Sequence, residues 1–320
     1  MTMGRIKKII VKNNKIKVFA PASIANVACG FDIFGFAIHK LGDFVEVWFN
    51  DQNKLIIESI EGAEGLPIAP ELNVTTVAAK ALLDAVGEKR GVSFNIQKTV
   101  KPGSGLGSSS SAAVAGAFAV NELLGNAFTR KGLLPFAGAG EQLASNQLHF
   151  DNVAPSLFGG FSVVRSNEEM DVLSINYPDD LWVVAAHPQV EIKTKEAKRM
   201  LGRTMSISNA VIQFGNIAGL VLGLTSNNYD LIGRSMVDML AEPKRSKLIP
   251  LYDDAKKATL AAGAVGTNIA GSGPTIFSFC RGEESAQKVI QAYKAVYQTS
   301  NVDMRYYISK INPEGAKRIN

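Results

Sequence analysis

Apolar and polar positions alternate along several short segments of the chain, and these predict β-strands. In Asp43 to Phe49 every second residue from Val45 onward shares one face, which is typical of a half-buried strand. We expect Leu55 to Ile60 to be its hairpin neighbour. Further strands are predicted at 92–97, 161–164, 181–186, 275–280 and 304–309.

Segments with helical periodicity alternate with these strands. Asn73 can cap a helix that runs to about Val86 and ends at Gly87. Small residues predict a second helix from about Ser108 to Leu124, ended by Gly125. Other helices are predicted at 138–147, 195–201, 208–224, 251–262 and 285–297, the last with one buried apolar stripe. This mixture predicts an α+β fold.

Length and composition narrow the class of protein. A chain of 320 residues predicts about two domains, and we place the boundary in the polar stretch Ser166 to Asp171, giving domains 1–168 and 169–320. Hydrophobic residues at 46% and charged residues at 20% exclude a disordered chain. The net charge of +5 suits an anionic ligand such as a nucleotide. Basic residues are spread out, so we expect no nucleic-acid partner.

The chain carries the marks of a cytoplasmic protein. Its two cysteines, Cys29 and Cys280, make no disulfide framework, which favours a reducing compartment. The basic N-terminal segment is followed by no apolar run typical of a signal peptide. The apolar stretch Val211 to Leu224 falls short of the roughly 20 residues of a membrane span. We interpret it as a buried helix and expect no membrane partner.

A glycine- and serine-rich loop between a predicted strand and a predicted helix is the strongest chemical signal. In Lys101 to Ser111 the glycines at 103, 105 and 107 let backbone N–H groups approach a ligand and let φ become positive. The helix that starts near Ser108 directs its unpaired N–H groups and positive dipole end at the loop. This arrangement predicts a polyphosphate site, and a flexible loop with a capped helix is the alternative. Neither GxxxxGK[ST] nor GxGxxG is present.

Residues 102–112, PGSGLGSSSSA, resemble the phosphate loop of the GHMP small-molecule kinases. Residues 268–275, NIAGSGPT, resemble the third, glycine-rich motif of that family. Three segments are similar to the branch of the family that phosphorylates L-homoserine, namely 21–35 (PASIANVACGFDIFG), 149–160 (HFDNVAPSLFGG) and 242–250 (EPKRSKLIP). The resemblance spans residues 17–280.

The resemblance implies a fold and an activity. The fold is a two-domain α+β GHMP-kinase fold, with an N-terminal ribosomal-protein-S5-like domain that carries ATP and a C-terminal ferredoxin-like domain that closes the cleft. The activity is ATP-dependent transfer of a phosphoryl group to the side-chain hydroxyl of L-homoserine, giving O-phospho-L-homoserine for threonine biosynthesis. The family is often dimeric, so a homodimer is a possible assembly.

The resemblance also implies a nucleotide site and a magnesium site. The nucleotide residues are Asn73, Pro102, Gly103, Ser104, Gly105, Leu106, Gly107, Ser108, Ser109 and Ser110. Ser109 and Glu141 match the oxygen ligands of Mg²⁺, which needs only one or two protein oxygens beside the phosphates and water. Read without the resemblance, Glu141 is a solvated helix residue and Asn73 a helix cap.

A substrate site follows from the same resemblance. Its residues are Asn26, Asp32, His149, Thr194, Lys198, Arg245, Gly271 and Ser272, and the catalytic set is Asp32, Asn152 and Thr194. Arg245 matches an arginine that grips the substrate carboxylate, for which the planar guanidinium is suited. Lys198 stands where the family has an arginine, so either it or Arg199 makes that contact.

No general base is evident. Asn152 aligns with an aspartate of mevalonate kinases, and an amide accepts no proton. Asp151 is adjacent to it. We therefore expect positioning and charge stabilisation to dominate the phosphoryl transfer.

Two alternatives within the family fold stay open. One is a GHMP kinase with a different alcohol substrate, and the other is a GHMP-fold sensor that binds ligands without turnover. Loss of Ser109 or Glu141 would favour the sensor, and both are present.

Overall fold

The computed structural model describes residues 15–190, 200–202 and 204–319. Within them the strands are β1 (Ile16–Ala25), β2 (Phe34–Asn50), β3 (Leu55–Glu61), β4 (Gly91–Lys98), β5 (Phe161–Ser166), β6 (Asp171–Ile175), β7 (Leu181–Pro188), β8 (Gly266–Ile269), β9 (Ile276–Arg281), β10 (Met304–Lys310) and β11 (Lys317–Ile319). The helices are α1 (Val74–Val86), α2 (Ser108–Leu123), α3 (Leu134–Ser145), α4 (Val153–Phe158), α5 (Ile207–Thr225), α6 (Tyr229–Ser235), α7 (Glu242–Arg245), α8 (Tyr252–Ala261) and α9 (Gly282–Tyr297). Thr194, Lys198, Arg199 and most of the helix predicted at 195–201 lie outside the described residues.

The first sheet has seven strands in the order β11-β1-β2-β4-β3, with β5 paired to β2 and β6 paired to β5. Helices α1, α2 and α3 pack together beside it, and α2 lies against β1 and β2. The alternation predicted from Val45 onward is confirmed, since Val45 and Val47 are fully buried. Asn73 and Gly87 bound α1 as predicted: Asn73 Oδ1 accepts a hydrogen bond from Thr75 N at 3.0 Å, and Gly87 has φ 69°.

The predicted hairpin between β2 and β3 is wrong. β4 lies between these two strands, and β3 pairs with β4 in parallel, with Leu55 opposite Val92. Parallel neighbours need a crossover connection, and here α1 supplies it. Strand periodicity alone does not distinguish a neighbour in sequence from a neighbour in the sheet.

The second sheet has four antiparallel strands in the order β10-β7-β9-β8. Its strands follow the βαββαβ connectivity of a ferredoxin-like domain, as expected, with α8 and α9 packed beside each other on the sheet. The apolar stripe of α9 is buried, with Val289 and Tyr293 fully enclosed. The two sheets meet where the ring of Phe36 lies 5.3 Å from that of Phe279.

The domain boundary between residues 168 and 169 stays a prediction. The polar stretch from Ser166 to Asp171 is the turn between β5 and β6. Both β6 and β11 lie on the C-terminal side of that boundary and pair within the first sheet. The chain thus leaves its first sheet after β6 and returns to it once, at β11.

The prediction that 211–224 is a buried helix is wrong in its burial. Val211, Phe214 and Leu222 are 63%, 66% and 60% exposed. Four residues of α5 are buried, namely Gln213, Leu220, Gly223 and Leu224. By length and composition α5 could cross a membrane. A core helix with the same composition would be mostly buried, whereas 22% of the apolar window of α5 is buried in the fold. Mean hydropathy does not reveal how many faces of a helix have a partner.

Candidate active site

The loop between β4 and α2 is anchored on two sides. Ser104 O accepts hydrogen bonds from the hydroxyl of Thr275 at 2.6 Å and from its backbone N–H at 3.3 Å. On the other side, Ser23 N in β1 donates to Leu106 O at 3.2 Å. The loop therefore joins the first sheet to the turn that follows β8.

Two positions in this loop require glycine. Gly105 has φ 82°, and a Cβ there would lie 2.5 Å from Ala270 O. Gly107 has φ 64°, and a Cβ there would lie 2.2 Å from Ser23 Oγ. The positive φ values predicted for the loop are thus present, and the backbone approaches its neighbours closely.

A cavity of about 340 Å³ lies between this loop, α3 and the turn at 271–272. The predicted nucleotide residues that line it are Pro102, Gly103, Ser104, Gly105, Gly107, Ser108 and Ser109. Three others are described but lie outside the lining, so their assignments stay predictions. Asn73 caps α1, the Leu106 side chain is buried in the core, and Ser110 Oγ donates to Glu141 Oε2 at 2.7 Å.

The serine side chains at the start of α2 make different contacts. Ser108 Oγ donates to Val100 O at 2.8 Å, and Ser111 Oγ donates to Asp43 Oδ2 at 2.5 Å. Ser109 and Glu141 both line the cavity, and the bond from Ser110 orients the Glu141 carboxylate. A hydroxyl and a carboxylate are hard oxygen ligands, so these residues fit Mg²⁺.

Sequence reasoning missed a buried ion pair below the loop. Lys98 lines the cavity, and its Nζ donates to Asp43 Oδ2 at 2.5 Å and to Ser108 O at 2.8 Å. Burial raises the pKa of Asp43, and the positive charge of Lys98 opposes that shift. Strand parity was the signal, because Lys98 shares the inward face of β4 with Phe94 and Ile96.

A second cavity, of about 360 Å³, adjoins the first. It is lined by every predicted substrate residue within the described ranges, namely Asn26, Asp32, His149, Arg245, Gly271 and Ser272, and by Asn152. The two cavities share Glu141, Ser145, Asn152, Gly271 and Ser272, so they form one cleft with two ends.

Hydrogen bonds connect the substrate residues to one another. Asn26 Oδ1 accepts from Asp32 N at 3.1 Å, and Asn26 Nδ2 donates to Gly271 O at 2.8 Å. Arg245 Nη1 donates to the same carbonyl at 3.1 Å. His149 Nδ1 lies 3.7 Å from Asp32 Oδ2. Residues far apart in the chain therefore converge on the turn at Gly271.

The second cavity also holds an acidic residue, Asp151, that is not among the predicted substrate or catalytic residues. It is 4% exposed and lines the second cavity. Burial, together with the negative charges of Asp32 and Glu141, raises its pKa to about 8. The buried guanidinium of Arg245 lies in the same cavity. A cavity with acidic side chains and a buried guanidinium suits a zwitterion such as an amino acid, whose ammonium group would favour the ionised form of Asp151.

Known proteins match this chain over most of its length. The family models for the GHMP kinases N terminal domain and the GHMP kinases C terminal domain match residues 73–160 and 220–299. A homoserine kinase of Chlorobium phaeobacteroides (strain BS1) is 39% identical over 314 residues, covering 94% of this chain and 98% of that protein. One from Pyrococcus abyssi is 37% identical over 303 residues, covering 95% and 99%.

Solved structures agree with the sequence relatives. The crystal structure of homoserine kinase from Cytophaga hutchinsonii superposes with a TM-score of 0.94 at 45% identity, covering 98% of this chain and all of that one. A mevalonate kinase of L. major, at 14% identity and a TM-score of 0.70, shares the fold alone. The resemblance seen in the motifs thus extends along the whole chain, which belongs to the homoserine kinase family within the GHMP kinases.

Proposed function

We propose that the cleft transfers the γ-phosphoryl group of ATP to the side-chain hydroxyl of L-homoserine. Membership of the family makes the chain an ATP-dependent phosphotransferase that acts on an alcohol and serves threonine biosynthesis. The observation that carries the proposal is the pair of adjoining cavities. One has the glycine-rich loop and the start of α2, and the other has buried acids and an arginine.

The first cavity would hold the polyphosphate of ATP. Backbone N–H groups of the loop and of the first turn of α2 meet the phosphate oxygens there, where the helix dipole favours negative charge. Ser109 and Glu141 would hold Mg²⁺, and the ion, when bound, neutralises charge on the phosphates. Lys98, paired with Asp43, lies at the same end of the cleft and donates to Ser108 O at the start of α2.

The second cavity would hold the amino acid. Arg245 binds the substrate carboxylate with its planar guanidinium. Asp151 and Asp32 would face the substrate ammonium group, because a cation stabilises the ionised form of the buried Asp151 and is attracted to the partly exposed Asp32. Asn152 lies where the two cavities meet, and its Oδ1 accepts from Ser23 Oγ at 2.8 Å, which holds the amide toward the reacting groups. The roles implied for Thr194 and Lys198 belong to the same proposal.

The hydroxyl would be activated mainly by its position. Asn152 accepts no proton, and phosphoryl transfer depends chiefly on alignment and charge neutralisation. Separate Asp32→Asn and Asp151→Asn variants test this. A loss of kcat by many orders of magnitude with unchanged homoserine binding in either variant would reveal a general base.

The decisive experiment measures ADP release by the purified chain with ATP and Mg²⁺. Acceptors are L-homoserine, mevalonate, galactose, L-serine and none. We expect selective turnover with L-homoserine that is abolished in Glu141→Gln and kept in Glu122→Gln, a carboxylate at the far end of α2. Preference for mevalonate or galactose would overturn the substrate assignment, and ATP binding without turnover would favour a sensor.

We also infer that a second copy of the chain covers the exposed apolar face of α5 in a homodimer. Its opposite face is bound to the fold, because Gln213 donates to Cys29 O at 2.6 Å, so the helix cannot be surrounded by lipid. Gly215 on the exposed face has open space around it, and α5 carries no charged residue to repel a copy. Light scattering after chromatography should show a dimer that Phe214→Glu converts to a monomer. A monomeric native chain would refute this.

A further inference from the structure

The segment that carries Asn26 and Asp32 has an unfavourable backbone. Three successive residues, Asn26, Val27 and Ala28, have φ values of 69°, 42° and 59°, and Asp32 has 56°. Residues other than glycine seldom adopt this conformation, least of all a β-branched valine. Such a segment persists only where its surroundings hold it in place. The contacts that hold it therefore bear on the geometry of the substrate site.

One of these contacts comes from α5. The side chain of Gln213 is buried, and its Nε2 donates to Cys29 O, in the middle of the strained segment, at 2.6 Å. Gln213 Oε1 accepts from Met239 N at 2.8 Å, and its Nε2 lies 3.3 Å from Asp238 Oδ1. A single amide group thus joins the strained segment to residues 238–239.

Those residues in turn hold Arg245. The buried carboxylate of Asp238 accepts hydrogen bonds from the N–H groups of Leu240 at 2.8 Å, Ala241 at 3.1 Å and Glu242 at 2.8 Å. Glu242 begins α7, and Arg245 is the last residue of that one-turn helix. The direction of the Arg245 side chain therefore depends on where Asp238 fixes the helix.

We propose that Gln213 is a positioning residue for the amino-acid half of the cleft. It lines neither cavity. It acts through the segment of Asn26 and Asp32 on one side and through Asp238 and α7 on the other. The inference rests on the proposed substrate roles of those residues. It adds that Gln213 sets the distance between the groups that bind the two ends of the substrate.

The test is the Gln213→Leu variant of the full chain. Leucine keeps the buried volume and removes all three polar contacts. We expect kcat/KM for L-homoserine to fall about ten- to a hundred-fold, chiefly through KM, because a shift of about 1 Å in a binding group has effects of that size. The KM for ATP should stay within about twofold, since Gln213 contacts nothing in the nucleotide cavity.

Asn216→Leu is the matched control. Asn216 lies one turn further along α5, and its Nδ2 donates to Val237 O at 3.0 Å. The Asn216→Leu variant removes a hydrogen bond from α5 to residue 237, next to residues 238–239. It leaves the contact between Gln213 and Cys29 in place. A rise in both KM values, or equal effects of the two variants, would mean that Gln213 only stabilises the fold and would overturn the inference. Unchanged KM values in Gln213→Leu would overturn it too.

Arg245→Lys, assayed in parallel, separates this inference from the proposed function. If it leaves the KM for L-homoserine unchanged, the proposed substrate site fails. If it raises that KM while Gln213→Leu does not, only the present inference fails. Should Gln213→Leu not fold, Gln213→Met, which keeps the unbranched shape of the side chain without its polar atoms, carries the same expectation. If both variants are unfolded, Gln213 is a stability element and the inference is overturned.

Discussion

Replacing Lys98 by methionine tests how the floor of the nucleotide cavity is held. The side chains of Lys98 and Asp43 are 3% and 0% exposed, and Lys98 Nζ lies 2.5 Å from Asp43 Oδ2. Methionine keeps most of the side-chain volume and removes the charge. It also removes the hydrogen bond to Ser108 O at the first residue of α2.

The expected loss of stability is large because Asp43 would keep its burial without its counter-ion. Removing one partner of a buried ion pair lowers the free energy of unfolding by about 3–5 kcal/mol. The Ser111 hydroxyl still donates to Asp43 Oδ2, which places the cost toward the lower end of that range. We therefore expect the free energy of unfolding at pH 7 to fall by about 3 kcal/mol.

The loss should depend on pH. Burial raises the pKa of Asp43 from its ordinary 3.8, and removal of Lys98 raises it further. The folded variant then holds a proton that the unfolded chain has released. Because the pKa of Asp43 is already raised in the native chain, the deficit of the variant is smallest below that native folded pKa and grows as pH rises from it toward the higher folded pKa of the variant.

Urea unfolding between pH 5 and pH 8 measures both effects. Lys80→Met is the control, since Lys80 forms an exposed ion pair with Asp84 on α1, where such pairs contribute about 0.5 kcal/mol or less. Equal losses in the two variants, or a Lys98→Met deficit that does not change with pH, would refute the reasoning.

Three further predictions concern the cleft. In urea unfolding, Gly103→Ala should lower the free energy of unfolding by about 1 kcal/mol, because Gly103 has a positive φ and open space around it. Gly105→Ala should lower it by at least about 1 kcal/mol more, because the added Cβ would meet Ala270 O. Equal losses in the two variants would contradict this. The pKa of Asp151, raised to about 8, means that the native chain loses stability as pH rises from about 4 to about 8. Asp151→Asn should remove that loss in melting curves without substrate and raise the KM for L-homoserine, and an unchanged pH profile would count against it. Ser109→Ala should raise the Mg²⁺ concentration at half-maximal activity, and an unchanged Mg²⁺ titration would remove Ser109 from the proposed metal site.

The interactions that lie within a few residues of one another were predicted correctly. Asn73 and Gly87 bound α1, the stripe of α9 is buried, and the loop glycines have positive φ. The family motifs likewise indicated which residues meet in the cleft, and the described substrate residues do line one cavity. The helix ends, the buried stripe and the glycine conformations follow from spacing, side-chain type and backbone freedom, which are local, whereas the grouping of the cleft residues came from the resemblance to a known family.

Contacts between segments that are far apart in the chain could not be predicted in this way. The strand predicted at 55–60 is present as β3, but its partner is β4 and not β2. The apolar character of α5 is evident in the chain, but only the packed molecule leaves Phe214 exposed and Gln213 buried. Gln213 and Cys29 are 184 residues apart, and Asn26 and Gly271 are 245 apart. A contact over such a distance depends on how the two sheets stack, because no periodicity within a segment specifies which distant segment will cover it.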